Sequence, residues 1–353
     1  IESYKKALEL NPNFSDAYNN LAIKINDMGD IHQAIALYKK AIFNRPYNEN
    51  AHNNLGISYQ ELSLIPNAID SYKMAIKINK DYAEAHSNLA HALLLSGQYK
   101  EGWIEYEYRS LKSEGPQPHY LPKSPRWKGE TLTKGKMLLI ISEQGLGDTL
   151  QFIRYALVLK NKGFNVVLCI QDKLNKLIKT SKIANLIINL KECDLFKNEA
   201  WIPMMSLPKY LEVSPRNPII KDQYIFTEQF MINKWKKIIS NEKSIVIGIN
   251  WQGNPGHEKT LSKGRSIPLN SFSKLADMKE IKFLSLQKGF GSEQLVDITF
   301  SDKFVKCQEE INDIWDFLEI SSIISNCDLI ITTDTSVAHL AGGMGKPTWL
   351  LLK

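Results

Sequence analysis

Three short segments carry residue types that can do chemistry. The first is Glu143-Gln144-Gly145-Leu146-Gly147-Asp148-Thr149, a glycine turn after an apolar run. It fits a dinucleotide fingerprint badly, because Leu150 stands where the third glycine belongs. What it does supply is a carboxylate, Asp148, at the mouth of a sheet. There it can serve as a general base toward a hydroxyl, or simply cap the next helix. The second segment is Thr332-Thr333-Asp334-Thr335-Ser336-Val337-Ala338-His339, followed by Gly345-Lys346-Pro347. A strand ending at once in a helix leaves the N–H groups of Thr335, Ser336 and Val337 open, a seat for a diphosphate. Asp334 beside it can accept from sugar hydroxyls, and His339 follows Thr335 by four residues on the same helix face. The plainer reading is a capped turn with a structural histidine. The third segment is Asn250-Trp251-Gln252-Gly253-Asn254-Pro255 with His257, Lys259, Lys263 and Arg265 behind it. These cations can neutralise a phosphate pair or form a solvated loop. Gln287, at another strand end, is a weaker candidate for a nucleotide wall.

These segments need a scaffold of strands. From residue 136 onward, short apolar runs alternate with amphipathic stretches, which argues for parallel sheets covered by helices. The expected strands are 137–142, 165–170 and 185–188, then 244–250, 282–287, 329–332 and 348–352. The expected helices are 149–161 and 172–179 in the first set, then 271–278, 311–325 and 335–344 in the second. A bridging helix is expected near 227–239, and residues 198–225 read as irregular. Two Rossmann-like halves, 135–226 and 227–353, would enclose a cleft.

Ahead of them lies a repeat. Ala17-Tyr18-Asn19-Asn20-Leu21 recurs as Ala51-His52-Asn53-Asn54-Leu55 and as Ala85-His86-Ser87-Asn88-Leu89, each time 34 residues on. Tyr4, Tyr38, Tyr72 and Tyr106 keep the same step. Residues 1–110 resemble the tetratricopeptide repeat, one partial unit and three helix pairs, whose stripes become a core only by stacking. Ala, Leu and Tyr at these steps are core. In this family the first helix of each pair usually lines a concave groove, which would put Asn19, Asn20, Asn53, Asn54 and Asn88 there. An amide ladder in that position can hold an extended peptide, or its members can bond between repeats. Gly102, Trp103 and Tyr106-Glu107-Tyr108-Arg109 break the pattern and suggest a helix that packs on another domain. Residues 111–134 hold four prolines and read as an extended linker that Trp127 pins to a surface.

The whole chain of 353 residues is 43% hydrophobic and 23% charged, which excludes a disordered or fibrous protein. The net charge of +6 is uneven: residues 1–110 hold 11 Lys+Arg against 13 Asp+Glu, and the remainder carries the surplus of cations. A basic C-terminal part suits an anionic ligand or a solvated lysine surface. Cys169, Cys193, Cys307 and Cys327 show neither metal-ligand spacing nor a disulfide framework. No apolar run approaches a bilayer span. A reducing cytoplasm is the expected compartment, with peripheral attachment at a membrane's inner face left open. The first residue is not Met and the last run is apolar, so a fragment is expected at both ends. No basic-aromatic stripe points to nucleic acid.

The three segments together resemble the two-Rossmann (GT-B) glycosyltransferases of the ADP-heptose:lipopolysaccharide heptosyltransferase type, glycosyltransferase family 9, over about residues 135–353. Asp334-Thr335-Ser336-Val337-Ala338-His339-Leu340 with Gly345-Lys346-Pro347 carries most of the likeness, and Gly147-Asp148 is its second marker. The resemblance implies Asp148 as base and Asp334, Thr335, Ser336 and His339 as donor-binding residues. It also implies a basic residue opposite the diphosphate, Arg265 first and Lys263 second. It further implies no cofactor, a nucleotide-diphosphate sugar as donor, a glycan or protein as acceptor, and inversion without a metal. No Asp-x-Asp pair occurs. A helical repeat ahead of a GT-B core resembles the O-linked N-acetylglucosamine transferases instead. The competing reading is a non-catalytic scaffold whose groove binds a protein and whose α/β part is a relic or a nucleotide-sugar sensor.

Overall fold

The computed structural model describes residues 1–133, 135–196, 199–219, 222–239, 244–258 and 264–352. They divide into two compact units, Ile1–Gln117 with Pro208–Pro218, and Pro118–Leu207 with Ile219–Lys353.

In the first unit the 34-residue period becomes antiparallel helix pairs: α1 Glu2–Leu10, α2 Ser15–Asp27, α3 Ile31–Asn44, α4 Glu49–Glu61, α5 Ile65–Ile78, α6 Ala83–Leu95 and α7 Tyr99–Glu105. Asp30 and Asn48 cap α3 and α4 by accepting from Gln33 N and Ala51 N. Tyr38, Tyr72 and Tyr106 are buried, as are the small residues Ala22, Gly56 and Ala90 of the paired helices. The fit is tight at Gly56, where an added Cβ would lie 2.5 Å from Tyr72 Cε1. Gly56→Ala is therefore expected to cost about 1–3 kcal/mol through overpacking, read as a lower urea midpoint with unchanged slope. An unaltered midpoint would mean that the α4–α5 contact yields freely.

The last pair departs from the rest, as its sequence does. α7 stops after two turns and continues as a 3-10 segment, Tyr106–Leu111. Gly102 admits Leu94, and Trp103 Nε1 donates to Val213 O at 2.9 Å. The segment Pro208–Pro218 thus completes this unit, although it follows the first sheet in the chain. Residues 118–133 belong to the second unit, so the compact units divide at Gln117–Pro118 rather than at 110 or 134. Trp127 is buried there; its backbone N–H donates to Trp201 O at 2.7 Å and its indole N–H to Glu130 O at 2.7 Å.

The second unit contains two parallel sheets. The first has order β3-β2-β1-β4, with β1 Met137–Ile141, β2 Asn165–Cys169, β3 Leu186–Ile188 and β4 Ala200–Pro203. The second has order β6-β5-β7-β8, with β5 Ile245–Asn250, β6 Ile281–Ser285, β7 Leu329–Thr333 and β8 Thr348–Leu351. Their central strands are buried on both faces, as continuous Val/Ile/Leu runs require. β4 corrects the expectation of an irregular 198–225. It is a short edge strand ending in Pro203, which gives no alternating pattern to read. The expected helices 172–179 and 271–278 open as 3-10 turns, Asp172–Leu174 and Leu269–Phe272, before the α-helical Asn175–Thr180 and Ser273–Ala276, and two further expected helices are broken. Residues 149–161 fall into Leu146–Phe152 and Arg154–Asn161, and 311–325 into Gln308–Asn312 and Phe317–Ser325. The last is restarted by Asp316, which accepts from Leu318 N and Glu319 N. The helices Gln229–Ile239 and Ser336–Gly343 form close to where they are expected. Among the described residues no helix is long and apolar enough to cross a membrane.

Candidate functional site

All three chemical segments leave the carboxyl ends of strands: the glycine turn after β1, the Asn250 loop after β5, and residues 334–339 after β7. The helix Leu146–Phe152 begins at Gly145, whose N–H donates to Asp148 Oδ2 at 3.0 Å. Asp148 therefore does cap its helix, while its other oxygen accepts nothing from the described residues. The turn is held from beneath. Gln171 accepts from Thr149 Oγ1 at 2.9 Å and donates to Gln144 O at 3.3 Å. Gln144 takes a positive φ of 61°, unusual for a residue with a side chain.

Gly147 brings this turn to the second sheet. A Cβ added there would lie 3.0 Å from His339 Cδ2 and 3.4 Å from Ser336 Cα. The glycine turn of one half thus touches the helix start of the other. The helix Ser336–Gly343 begins without a side-chain cap. Thr335, at the N-cap position, turns its hydroxyl to Asn250 Oδ1, 3.0 Å away, and to Thr332 Oγ1. The N–H groups of Ser336 and Val337 meet no acceptor among the described residues. Val337 itself is a buried side chain, so only its amide bears on the site.

Asp334 is half exposed, and His339 Nε2 lies 3.7 Å from its Oδ1. The His339 imidazole first, then the Arg265 guanidinium, hold the Asp334 carboxyl below the usual carboxylate range against an opposing effect of burial. Its contribution to stability is thus complete above the unfolded value and is lost only as pH falls through the lower folded one. Arg265 Nη1 donates to Asp334 O at 3.2 Å, and its guanidinium fills the space where Gly253 has no Cβ. Lys263 and Lys259 lie outside the described residues.

Two expectations need correction. Gln287 is no ligand wall. Its Oε1 accepts from Asn250 Nδ2, Trp251 N and Gln252 N, and its Nε2 donates to Gln252 O and Phe290 O. Every polar group of this buried amide is used, and most of them brace the loop after β5 while one bond to Phe290 O closes its own loop. The asparagine set also divides. Asn19 and Asn53 are buried and accept from Asn54 Nδ2 at 3.1 Å and Asn88 Nδ2 at 3.0 Å in the next repeat, while Asn19 Nδ2 donates to Asn20. They tie neighbouring repeats together. Asn20, Asn54 and Asn88 are half-buried, and the Oδ1 atoms of Asn54 and Asn88 take no donor from the described residues.

Sequence patterns single out Asn250 only as the opening of the third segment, without its hydrogen bonds to Gln287 and Thr335, and they give no role to Gln171 or His119. A polar residue closing the apolar run Ile245-Val246-Ile247-Gly248-Ile249 was the signal for Asn250. Gln171 and His119 carry no local signal. His119 reaches the end of β1 from the 118–133 strap, its Nδ1 2.9 Å from Ser142 Oγ.

Comparison with known proteins bears on the two parts unequally. Residues 3–36 match a family model described as tetratricopeptide repeat, and residues 65–97 one described as TPR repeat. The first unit is a tetratricopeptide-type helical solenoid, of a kind associated with protein interaction, and the region after it is α/β with parallel sheets. Among individual proteins, the chain is similar to Protein FlbA of Caulobacter vibrioides, 23% identical over 387 residues. That match covers 99% of this chain and 56% of FlbA, so the chain spans about half the length of its curated relative. The crystal structure of MamA is 27% identical over 30% of this chain and 63% of its own, with a TM-score of 0.29. The first TPR of Spaghetti, bound to an HSP90 peptide, is 22% identical over 29% of this chain and 81% of its own, with a TM-score of 0.28.

Proposed function

We propose that the second unit is a GT-B glycosyltransferase, moving a sugar with inversion from a nucleotide-diphosphate sugar to a hydroxyl acceptor. The supporting observation is the approach of Gly147 to Ser336 and His339, which brings the turn that carries Asp148 against the helix start whose amides are open. In this reading Asp148 takes the acceptor's proton through the oxygen its cap leaves over. The acceptor oxygen attacks the anomeric carbon from the face opposite the diphosphate. The leaving diphosphate is met by the amides of Ser336 and Val337, by the helix dipole and by Arg265. Asp334 accepts from sugar hydroxyls. Its carboxylate, ionised by the neighbouring His339 and Arg265, suits that work.

The repeat unit recruits a protein partner or the acceptor. Of the asparagine set, Asn54 and Asn88 keep amide oxygens for a bound backbone, while Asn19 and Asn53 serve the stacking of repeats. Calorimetry with a panel of nucleotide-diphosphate sugars, joined to a donor-hydrolysis assay, tests the enzyme. Binding and turnover support it. Binding without turnover across acceptors favours a sensing scaffold, and no binding removes the nucleotide-sugar reading altogether. Arg265→Met is expected to weaken nucleoside-diphosphate affinity by roughly 10- to 100-fold, the loss of one charged hydrogen bond in a half-buried site. The same calorimetry reads it, and an unchanged affinity would take Arg265 out of the site.

A further inference from the structure

Cys169 and Cys193 stand 24 positions apart in sequence, with no spacing that links them. The fold puts their sulfurs 2.9 Å apart. Cys169 closes β2 and Cys193 lies in the 3-10 segment Leu190–Phe196; both are free thiols and fully buried. Their surroundings are apolar: Leu139, Ile141, Val167, Ile188 and Trp201. Cys193 Sγ also reaches Asn189 O at 3.8 Å, and otherwise each sulfur has only the other as a partner among the described residues. Two sulfurs in contact are a geometry one bond away from a disulfide.

The pair also sits under the candidate site. Cys169 O accepts from Ser142 N at 2.9 Å, immediately before the glycine turn. Two residues beyond Cys169, Gln171 holds both ends of that turn through Thr149 and Gln144. Whatever stiffens the end of β2 stiffens the support of Asp148.

We infer that Cys169 and Cys193 form a reversible disulfide when the protein meets a peroxide, and that this bond tightens the turn carrying Asp148. The step balances. One thiol, as its thiolate, attacks hydrogen peroxide to give a sulfenic acid and one water. The second thiol then displaces the hydroxyl from that sulfur as another water, forming the S–S bond. Two thiols lose two hydrogens, and the peroxide takes them up. Burial pushes both thiols up from their ordinary values, so the resting pair is protonated and reacts slowly at neutral pH, faster as pH rises.

The test uses the full chain, treated with dilute hydrogen peroxide without denaturant and examined by intact mass and peptide mapping. The expected result is a loss of two hydrogen masses and a single Cys169–Cys193 linked peptide, restored by dithiothreitol. A rise of the thermal midpoint by roughly 5 °C should accompany it. A gain of oxygen without cross-linking, a bond involving Cys307 or Cys327, or an unchanged mass would overturn the disulfide. Cys193→Ser should keep its mass apart from oxygen additions; loss of two hydrogens from that variant also overturns it. Amide hydrogen exchange across residues 143–149 should slow on oxidation, and equal rates in both forms would overturn the coupling to the turn.

Discussion

Asp148→Asn is expected to lower sugar transfer by a factor of about 10²–10⁴ while donor affinity stays where it was. The substitution is selective because of what Asp148 does besides chemistry. One of its oxygens accepts from Gly145 N at the start of the helix Leu146–Phe152. Asparagine keeps an oxygen for that bond and loses only the capacity to take a proton, so stability should change by less than about 0.5 kcal/mol. Asp148→Ala removes both functions and should cost about 1 kcal/mol in addition, the worth of a lost cap. Measuring turnover, donor affinity and urea midpoint on the pair separates the roles. Full turnover in the asparagine variant would leave Asp148 as a cap and nothing more.

Gly147→Val is expected to be the most damaging change to binding. A Cβ there already lies 3.0 Å from His339 Cδ2 and 3.4 Å from Ser336 Cα, and valine adds two methyl groups to that contact. The imidazole can move by a few tenths of an ångström, but the Ser336 backbone starts a helix packed in the second half and cannot. The two helix starts must therefore separate. Overpacking of this kind costs about 1–3 kcal/mol. It also opens the space in which a diphosphate would meet both halves, so affinity for a nucleoside diphosphate should fall by roughly tenfold or more. Gly147→Ala should lie between. If the valine variant melts and binds like the parent, close approach at this position does not build the site.

The elements were readable to different depths. Buried parallel strands announce themselves as apolar runs, and β1, β2 and β5 to β8 lie within a residue or two of where the runs place them. β4 had no such run, because a four-residue edge strand that borrows its pairing from β1 and from the strap at Arg126 needs no pattern of its own. Helices of the repeat were legible because one period of 34 imposes the same small and large residues three times. The long helices that periodicity predicts in the α/β part are shorter in the fold, since the apolar period continues across Ile153 and across the Asp313–Asp316 break while the helical backbone does not.

Side-chain roles separate more sharply. A hydrophobic period or a glycine before a helix is a local property, and each is stated by the residues that carry it. The composition of the candidate site was legible in that way: Asp148, Asp334 and the helix start after Thr335 follow strand ends, and Arg265 lies in the long loop after β5. Which amide is spent and which is open is not local. Gln287 and Asn54 are both amides at suggestive positions, yet Gln287 is saturated by the backbone of two loops, at Trp251–Gln252 and at Phe290, and Asn54 keeps an oxygen. The meeting of Gly147 with Ser336, and of Cys169 with Cys193, depends on packing between segments far apart in the chain. Period and residue type follow from short-range sterics and burial, which a linear chain displays. Hydrogen-bond saturation and close approach are properties of pairs, and a pair exists only once the chain has folded.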